Sequence, residues 1–210
     1  MTPLRIKICG VTNVKDARAC AELGADMIGF NFYPRSPRYI EPEIARQIVE
    51  TIPRSARAVG VFVDASADEI RNTAKRAGIE SVQLHGDFSP ETCRELAGQF
   101  RVIRAFRTEA RFQPEDASAF PDCDVLLDAH HVELRGGTGV TCDWSAARAT
   151  LPFARFFILS GGLNAQNVAH AIAAVAPHAV DVCSGVESAP GVKDYHAMEK
   201  FVAAVRTAES

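Results

Sequence analysis

The chain has 210 residues, of which 47% are hydrophobic and 23% are charged, and its formal net charge is −3 at pH 7. This length is enough for one sizeable core, so we expect a single domain over residues 1–210. The slightly negative charge excludes the strongly basic surface that attracts nucleic acid, and small-molecule partners are expected instead. No apolar stretch approaches the ~20 residues of a membrane-spanning helix, so no membrane association is expected.

The six cysteines are scattered along the chain without any C-x-x-C pair. They are Cys9, Cys20, Cys93, Cys123, Cys142 and Cys183. Such a scatter argues against a zinc cage and against a disulfide framework, so we expect no bound metal and a reducing, cytoplasmic environment. The first strand is expected from about Leu4, which leaves no room for a signal peptide.

Short apolar runs recur along the chain, with helical stretches between them. The runs lie at residues 5–9, 27–32, 57–63, 81–85, 101–106, 124–129, 155–160 and 179–184. Their near-continuous apolarity is typical of parallel strands that are covered on both faces. We therefore predict eight buried strands.

The segments between the runs contain helix start signals. Asn13 is a typical N-cap, and Ser66 followed by Glu69 predicts a capping box. Ser89 precedes a proline at the first helical position, which indicates another helix start. A last helix is expected over residues 194–207, where apolar side chains recur at helical spacing.

The spacing of the strands predicts a barrel. Cys9 and Ser184 are 175 residues apart, which gives 25 residues for each of the seven strand-to-strand steps. That is about the minimum for a strand, a helix and two tight loops. A doubly wound sheet usually has about five or six strands and would leave two runs unexplained. The predicted fold is therefore α/β, a single-domain (β/α)8 TIM barrel near the lower end of its size range.

Two of the predicted strands are followed by Ser-Gly turns. They are S-G-G-L-N-A-Q-N-V (160–168) and C-S-G-V-E (183–187), at the strand ends where such barrels bind phosphate. Glycines let backbone amides approach an anion, and a helix N-terminus, which we expect Asn164 to cap, adds further N–H groups. The predicted phosphate site consists of Gly161, Gly162, Asn164, Ser184 and Gly185. The alternative is that both are ordinary βα turns.

Other polar residues at strand ends are possible pocket residues. They are Gln83, His85, Asp181 and, in the glycine-rich stretch after the sixth strand, Gly137, Thr138 and Gly139. His85 is expected either to line the pocket or to be a hydrogen-bonded structural histidine. Asp181 is expected either to orient loop amides or to form an internal ion pair with Lys7.

The motifs at these strand ends occur in an order in which the sequence resembles the phosphoribosylanthranilate isomerase family over nearly the whole chain. The resemblance rests on K-I-C-G (7–10), G-F-N-F-Y-P-R-S-P-R-Y-I (29–40), V-Q-L-H-G-D (82–87), L-L-D-A (126–129), G-G-T-G (136–139), the two Ser-Gly turns and P-G-V-K-D (190–194). It implies an enzyme of tryptophan biosynthesis that uses no metal or organic cofactor. Its reaction is an Amadori rearrangement, which converts a phosphosugar, N-(5-phosphoribosyl)anthranilate, into the corresponding 1-deoxyribulose 5-phosphate.

The resemblance also implies residue roles. It makes Cys9 the general base and Asp128 the general acid, two groups that must differ in protonation state at neutral pH. Whether the charge of Lys7 reaches the thiol is not decided by strand alternation. Arg38 is expected to bind the anthranilate carboxylate through its fork, with Arg35 as the alternative. Cys183 is expected only to pack.

One departure from the family pattern and several alternatives stay open. His130 and His131 follow the sixth strand where the family favours an aromatic residue and Pro/Gly-containing sequence. A related synthase would need a strand-end lysine as acid, and Lys7 is the one lysine in the eight runs. A non-catalytic or different phosphosugar-binding barrel is the remaining alternative. The oligomeric state is expected to be a monomer or a weak homodimer.

Overall fold

A computed structural model describes residues 3–108, 112–128 and 144–209. Its eight parallel strands form a closed barrel, in which each strand pairs with the next along the chain and the last pairs with the first. The strands are β1 (Arg5–Ile8), β2 (Met27–Asn31), β3 (Arg57–Val63), β4 (Ser81–His85), β5 (Arg101–Arg107), β6 (Asp124–Asp128), β7 (Phe157–Ser160) and β8 (Ala179–Val182). The predicted barrel is confirmed.

Helices surround the barrel. They are α1 (Val14–Glu22), α2 (Pro42–Val49), α3 (Ala67–Ala77), α4 (Pro90–Ala97), α5 (Trp144–Thr150), α6 (Val168–Val175) and α7 (Tyr195–Ala208). A 3₁₀ helix, Pro114–Ala119, lies between β5 and β6. No helix within the described ranges is long and apolar enough to cross a membrane.

The predicted helix caps are formed. The Asn13 side chain accepts a hydrogen bond from the Asp16 amide, and Ser66 and Glu69 make a complete capping box. The start of α6 differs from the prediction, because the helix begins at Val168 and its N-cap is Asn167. Asn164 instead forms a turn before the helix, where its side chain accepts hydrogen bonds from the amides of residues 166 and 167.

Strand alternation divides the side chains between two layers. Ile6 and Ile8 of β1 join the apolar cluster between barrel and helices. A second cluster, which includes Ile103 and Leu126, fills the barrel interior. Lys7 of β1 and Asp181 of β8, which lie opposite each other nearer the C-terminal ends of these strands, are polar by contrast.

A short antiparallel hairpin follows β8. Its strands are β9 (Glu187–Ala189) and β10 (Val192–Lys193), and Lys193 lies opposite Glu187. The hydroxyl of Thr12 donates to the Gly191 carbonyl at 2.6 Å, and the Lys193 amide donates to the Asp16 carboxylate at 2.9 Å. The hairpin is thereby fastened to the turn that follows β1.

Candidate active site

The site is built on a buried ion pair between β1 and β8. Lys7 and Asp181 are opposite each other in the register, and Nζ lies 2.9 Å from Oδ1. Both side chains are buried, and the Ser160 hydroxyl donates to the second oxygen of Asp181 at 3.2 Å. Burial by itself lowers the pKa of Lys7, but the negative charges of Asp181 and Cys9 outweigh it and raise that pKa above its usual value. Of the two roles expected for Asp181, the ion pair with Lys7 is the one observed.

Two thiols lie one layer above this ion pair. The Cys9 amide donates to the Val182 carbonyl at 2.8 Å, which continues the β1–β8 register and places Cys9 beside Cys183. The neighbouring Cys183 thiol and the positive charges of Lys7 and Lys193 outweigh burial and the negative charge of Asp181, and they lower the pKa of Cys9 to about 6. The same pairing raises the pKa of Cys183. The charge of Lys7 therefore reaches Cys9, and Cys183 does more than pack.

Glycines on two sides make room for these groups. A Cβ on Gly29 of β2 would lie 2.7 Å from the sulfur of Cys9, so only glycine fits beside the thiol. Gly10 has a φ of +75°, and a Cβ there would lie 2.6 Å from Cδ of Arg38 and 3.0 Å from the sulfur of Cys183. The side chain of Arg38 therefore passes directly over the turn that follows Cys9.

Arg38 forms a two-pronged ion pair with Glu187. Its Nε donates to Oε1 at 2.9 Å and its Nη2 donates to Oε2 at 2.6 Å. Glu187 raises the pKa of Arg38. Arg35, the alternative carboxylate ligand, is exposed on the loop after β2. Sequence reasoning missed Glu187, because the two partners are 149 residues apart.

The two Ser-Gly turns lie against each other. Gly161 and Gly162 have φ values of +103° and +63°, which favour glycine. A Cβ on Gly185 would lie 2.0 Å from the Leu163 carbonyl oxygen, so the second turn can approach the first only with glycine at that position. Ser184 and Gly185 belong to a 3₁₀ turn over Ser184–Val186, directly after β8.

A cavity of about 210 Å³ lies between the turns and the end of β6. It is lined by Asp128, Ser160, Gly161, Gly162, Leu163, Asp181, Cys183 and Ser184. This volume is below the ~300 Å³ of a complete small-ligand pocket, so it suits one end of a phosphosugar. The cavity brings the expected acid together with Gly161, Gly162 and Ser184 of the expected phosphate residues, whereas Asn164 and Gly185 do not line it.

Gln83 and His85 contact each other at the end of β4, and neither lines the cavity. The Gln83 amide nitrogen lies 2.6 Å from Nε2 of His85. Burial, followed by the positive charges of Lys7, Arg107 and Arg104, lowers the pKa of His85 to about 4. The imidazole is therefore neutral at neutral pH, so His85 is a hydrogen-bonding group there and not a cation.

Some expected residues lie outside the described ranges. They are Gly137, Thr138, Gly139, His130 and His131. Within residues 3–108, 112–128 and 144–209, no group of three or more His, Cys, Asp or Glu side chains is arranged to hold a metal. A larger depression of about 980 Å³ lies at the opposite end of the barrel, beside the N-terminal residues of β3, β4 and β5. Catalysis in these barrels takes place at the C-terminal end, so we assign the site to the smaller cavity.

Comparison with known proteins agrees with this geometry. Residues 6–204 match the family described as N-(5'phosphoribosyl)anthranilate (PRA) isomerase. The chain belongs to the phosphoribosylanthranilate isomerase family. The N-(5'-phosphoribosyl)anthranilate isomerase of Geobacter sp. is 46% identical over 202 residues, which cover 95% of this chain and 96% of the relative.

Solved structures of the family superpose on nearly the whole chain. The crystal structure of phosphoribosyl anthranilate isomerase from Thermotoga maritima has a TM-score of 0.90 and 42% identity, and covers 97% of this chain and 99% of its own. A complex of such an isomerase with reduced 1-(o-carboxyphenylamino)-1-deoxyribulose 5-phosphate has a TM-score of 0.87 at 40% identity, with the same coverage. The predicted family and the prediction that the chain is an isomerase of tryptophan biosynthesis are confirmed.

Proposed function

We propose that the chain performs its family's reaction with Cys9 as the general base and Asp128 as the general acid. The substrate is N-(5-phosphoribosyl)anthranilate and the product is 1-(2-carboxyphenylamino)-1-deoxyribulose 5-phosphate. One observation carries this assignment of roles. Cys9 directly follows β1, above the buried Lys7–Asp181 pair and beside Cys183, which lines the same cavity as Asp128 and the two Ser-Gly turns, and these surroundings lower the pKa of Cys9.

The acid acts first. Asp128 ends β6 and lines the cavity, so its carboxyl group can face the sugar. In its protonated form it transfers a proton to the ribose ring oxygen while the bond from C1 to that oxygen breaks. The nitrogen lone pair forms a double bond to C1, and the open chain is then an iminium ion.

The base completes the rearrangement. Cys9, as a thiolate, removes the proton from C2, and the electrons of that C–H bond form a C1–C2 double bond as the iminium nitrogen becomes neutral. The resulting enolamine takes a proton at C1 and loses the proton of its C2 hydroxyl, which gives the ketone. A base with a pKa of about 6 is mostly ionised at neutral pH, as this step requires.

Two anchors hold the ends of the substrate. The paired Ser-Gly turns offer backbone amides to the 5-phosphate, through Gly161, Gly162, Ser184 and Gly185. Arg38 binds the anthranilate carboxylate at the other end, beside Cys9. The distance between the anchors then fixes C1 and C2 between acid and base.

The oligomeric state and the cellular location stay predictions. A monomer or weak homodimer in the cytoplasm is the state we propose, and among relatives the isomerase of Thermotoga maritima is described as dimeric. The five cysteines in the described part of the chain are free, in accord with a reducing compartment.

The decay of anthranilate-type fluorescence tests the reaction itself. Purified protein is mixed with freshly generated phosphoribosylanthranilate, and the decay is compared with spontaneous breakdown in buffer. Isomerisation predicts rapid decay with formation of the deoxyribulose phosphate, measured by chromatography. Binding of the phosphosugar without any decay above background would show a non-catalytic barrel and would contradict the proposal.

A further inference from the structure

The ion pair between Arg38 and Glu187 uses only one edge of the guanidinium. Nε and Nη2 both donate to the Glu187 carboxylate, at 2.9 and 2.6 Å. Within the described ranges, Nη1 of Arg38 makes no hydrogen bond to protein. Because an arginine has five N–H groups in one plane, the Nη1–Nη2 edge stays open for a second carboxylate.

Glu187 is itself held from the other side. Nζ of Lys193 lies 2.9 Å from Oε1 of Glu187, and the Gly191 amide donates to the same oxygen at 3.2 Å. The side chain of Lys193 is fully buried and that of Glu187 is 4% exposed, whereas that of Arg38 is 22% exposed. The rigid part of the cluster is therefore inside, and the part that reaches the solvent is the guanidinium.

The charges of the three groups suit an anionic ligand. Arg38 and Lys193 are positive and Glu187 is negative, and burial of Glu187 is outweighed by its two partners, which lower its pKa. The cluster thus carries one net positive charge. The Cys9 thiolate is a further negative charge near the guanidinium, so the preference for a carboxylate comes from the open N–H groups of Arg38, which can donate to both oxygens of one carboxylate.

We infer that Glu187, held by Lys193, is a positioning residue that fixes the guanidinium of Arg38 for the substrate carboxylate and so selects a carboxylated aminoaldose over an uncarboxylated one. This inference rests on the proposed role of Arg38. The guanidinium of Arg38 is then oriented before the substrate binds, so the Arg38 side chain does not lose rotamer freedom on binding.

Its test compares Glu187→Gln with a matched control, Glu43→Gln. Glu43 makes the same two-pronged contact with Arg76, at 2.7 and 2.8 Å, but on the exposed surface of α2 and α3. Each enzyme is assayed with phosphoribosylanthranilate and with the aniline analogue, which lacks the carboxylate and is followed by chromatography.

We expect Glu187→Gln to raise KM for the carboxylated substrate roughly 10- to 100-fold, with kcat changed less than about threefold. For the aniline analogue, kcat/KM should match that of the parent enzyme, which also shows that the variant is folded. Glu187→Asp keeps the charge, so its KM for the carboxylated substrate should lie between those of Glu187→Gln and the parent enzyme. The control should match the parent enzyme on both substrates.

The possible failures are distinguishable. Equal losses of kcat/KM on both substrates would show a purely structural role for Glu187 and would overturn the inference, as would an unchanged KM. If Arg38→Ala raises KM for the carboxylated substrate alone but Glu187→Gln does not, the anchor stands and only the inference falls. If Arg38→Ala leaves KM unchanged, the anchor itself is wrong. With both correct, Glu187→Gln adds little to Arg38→Ala in the double variant.

Discussion

Two pairs of neighbouring thiols occupy different parts of this barrel. Cys9 and Cys183 join β1 to β8 at the C-terminal end, and Cys93 and Cys123 join α4 to the residue before β6. In each pair the neighbouring thiol lowers the pKa of one cysteine and raises that of the other. The pairing of thiols is therefore not what makes one pair suited to catalysis.

The surroundings separate the two pairs. Cys183 is half-buried and lines the cavity, and two lysines approach the first pair. Cys93 and Cys123 are each about 1% exposed. Arg104 near them is held by the carbonyls of residues 84 and 86 and lies over aromatic rings. A stabilised thiolate is useful only where a substrate can reach it, and of the two pairs only the first has a member that lines the cavity, Cys183, with Cys9 beside it.

The largest effect is expected at Asp128, the proposed acid, which lines the cavity together with Cys183 of the first pair. Asp128→Asn keeps the shape but cannot donate the proton, so kcat should fall about a thousandfold or more. The matched control is Asp124→Asn at the buried start of the same strand, where the carboxylate pairs with Arg101 and Arg155. The control should lower the free energy of unfolding and leave kcat nearly unchanged. Near-normal turnover by Asp128→Asn would remove the residue from the mechanism.

Alkylation compares the two pairs directly. At pH 7, iodoacetamide should modify Cys9 at least about tenfold faster than Cys93 or Cys123, because reaction requires both a thiolate and access. Mass spectrometry of peptides at successive times measures each rate, and the phosphosugar product should protect Cys9. Equal rates at both pairs, or a faster reaction at Cys93, would contradict the comparison.

Replacement of Cys183, the second thiol of the first pair, should change kcat/KM moderately and in a pH-dependent way. The neighbouring thiol of Cys183 lowers the pKa of Cys9, so Cys183→Ala should raise the pKa of Cys9 above its value of about 6. As the proposed base, Cys9 acts in its thiolate form, so kcat/KM should fall as the pH drops through this pKa. Cys183→Ala should move that fall to higher pH. We expect a loss of a few fold, about 3- to 10-fold, at pH 6 and almost none at pH 8.5. Cys183→Ser keeps a hydrogen-bond donor, so its pH profile of kcat/KM should resemble that of the parent enzyme. A profile of Cys183→Ala identical to that of the parent enzyme would show that Cys183 does not influence the base.

The smallest effect on catalysis is expected at the other pair. Cys93→Ala removes a buried sulfur from beneath α4, which should lower the free energy of unfolding by about 1–2 kcal/mol. Because this pair lies outside the cavity, kcat and KM should match those of the parent enzyme. Urea unfolding and the fluorescence assay measure the two quantities, and a loss of turnover in the folded variant would mean that the second pair communicates with the site.

Local signals predicted most of the fold. Seven of the eight strands begin at the residue where an apolar run begins, and β7 begins two residues later, at Phe157. The caps at Asn13 and Ser66 were predictable because their chemistry lies within three residues. The N-cap of α6 was not, because Asn164 and Asn167 both suit a cap and only the course of the turn selects Asn167.

The site was predictable only in part. The strand-end rule and the motifs indicate Cys9, Asp128 and the glycine turns. The contact of Lys7 with Cys9 depends on which way the β1 side chains face, and the Arg38–Glu187 pair joins residues 149 apart. Such contacts follow from closure of the barrel, which brings β8 back to β1, and no local pattern contains them.

The most direct test of the central claim, that the Cys9 thiolate is the base, is the rate of fluorescence decay with Cys9→Ser at saturating substrate. A serine hydroxyl in the same place is far less acidic than the thiol, so we expect the rate to fall about a thousandfold or more, to near background. Binding of the phosphosugar product should be preserved in this variant. A rate within about tenfold of the parent enzyme would contradict the account and would require another base.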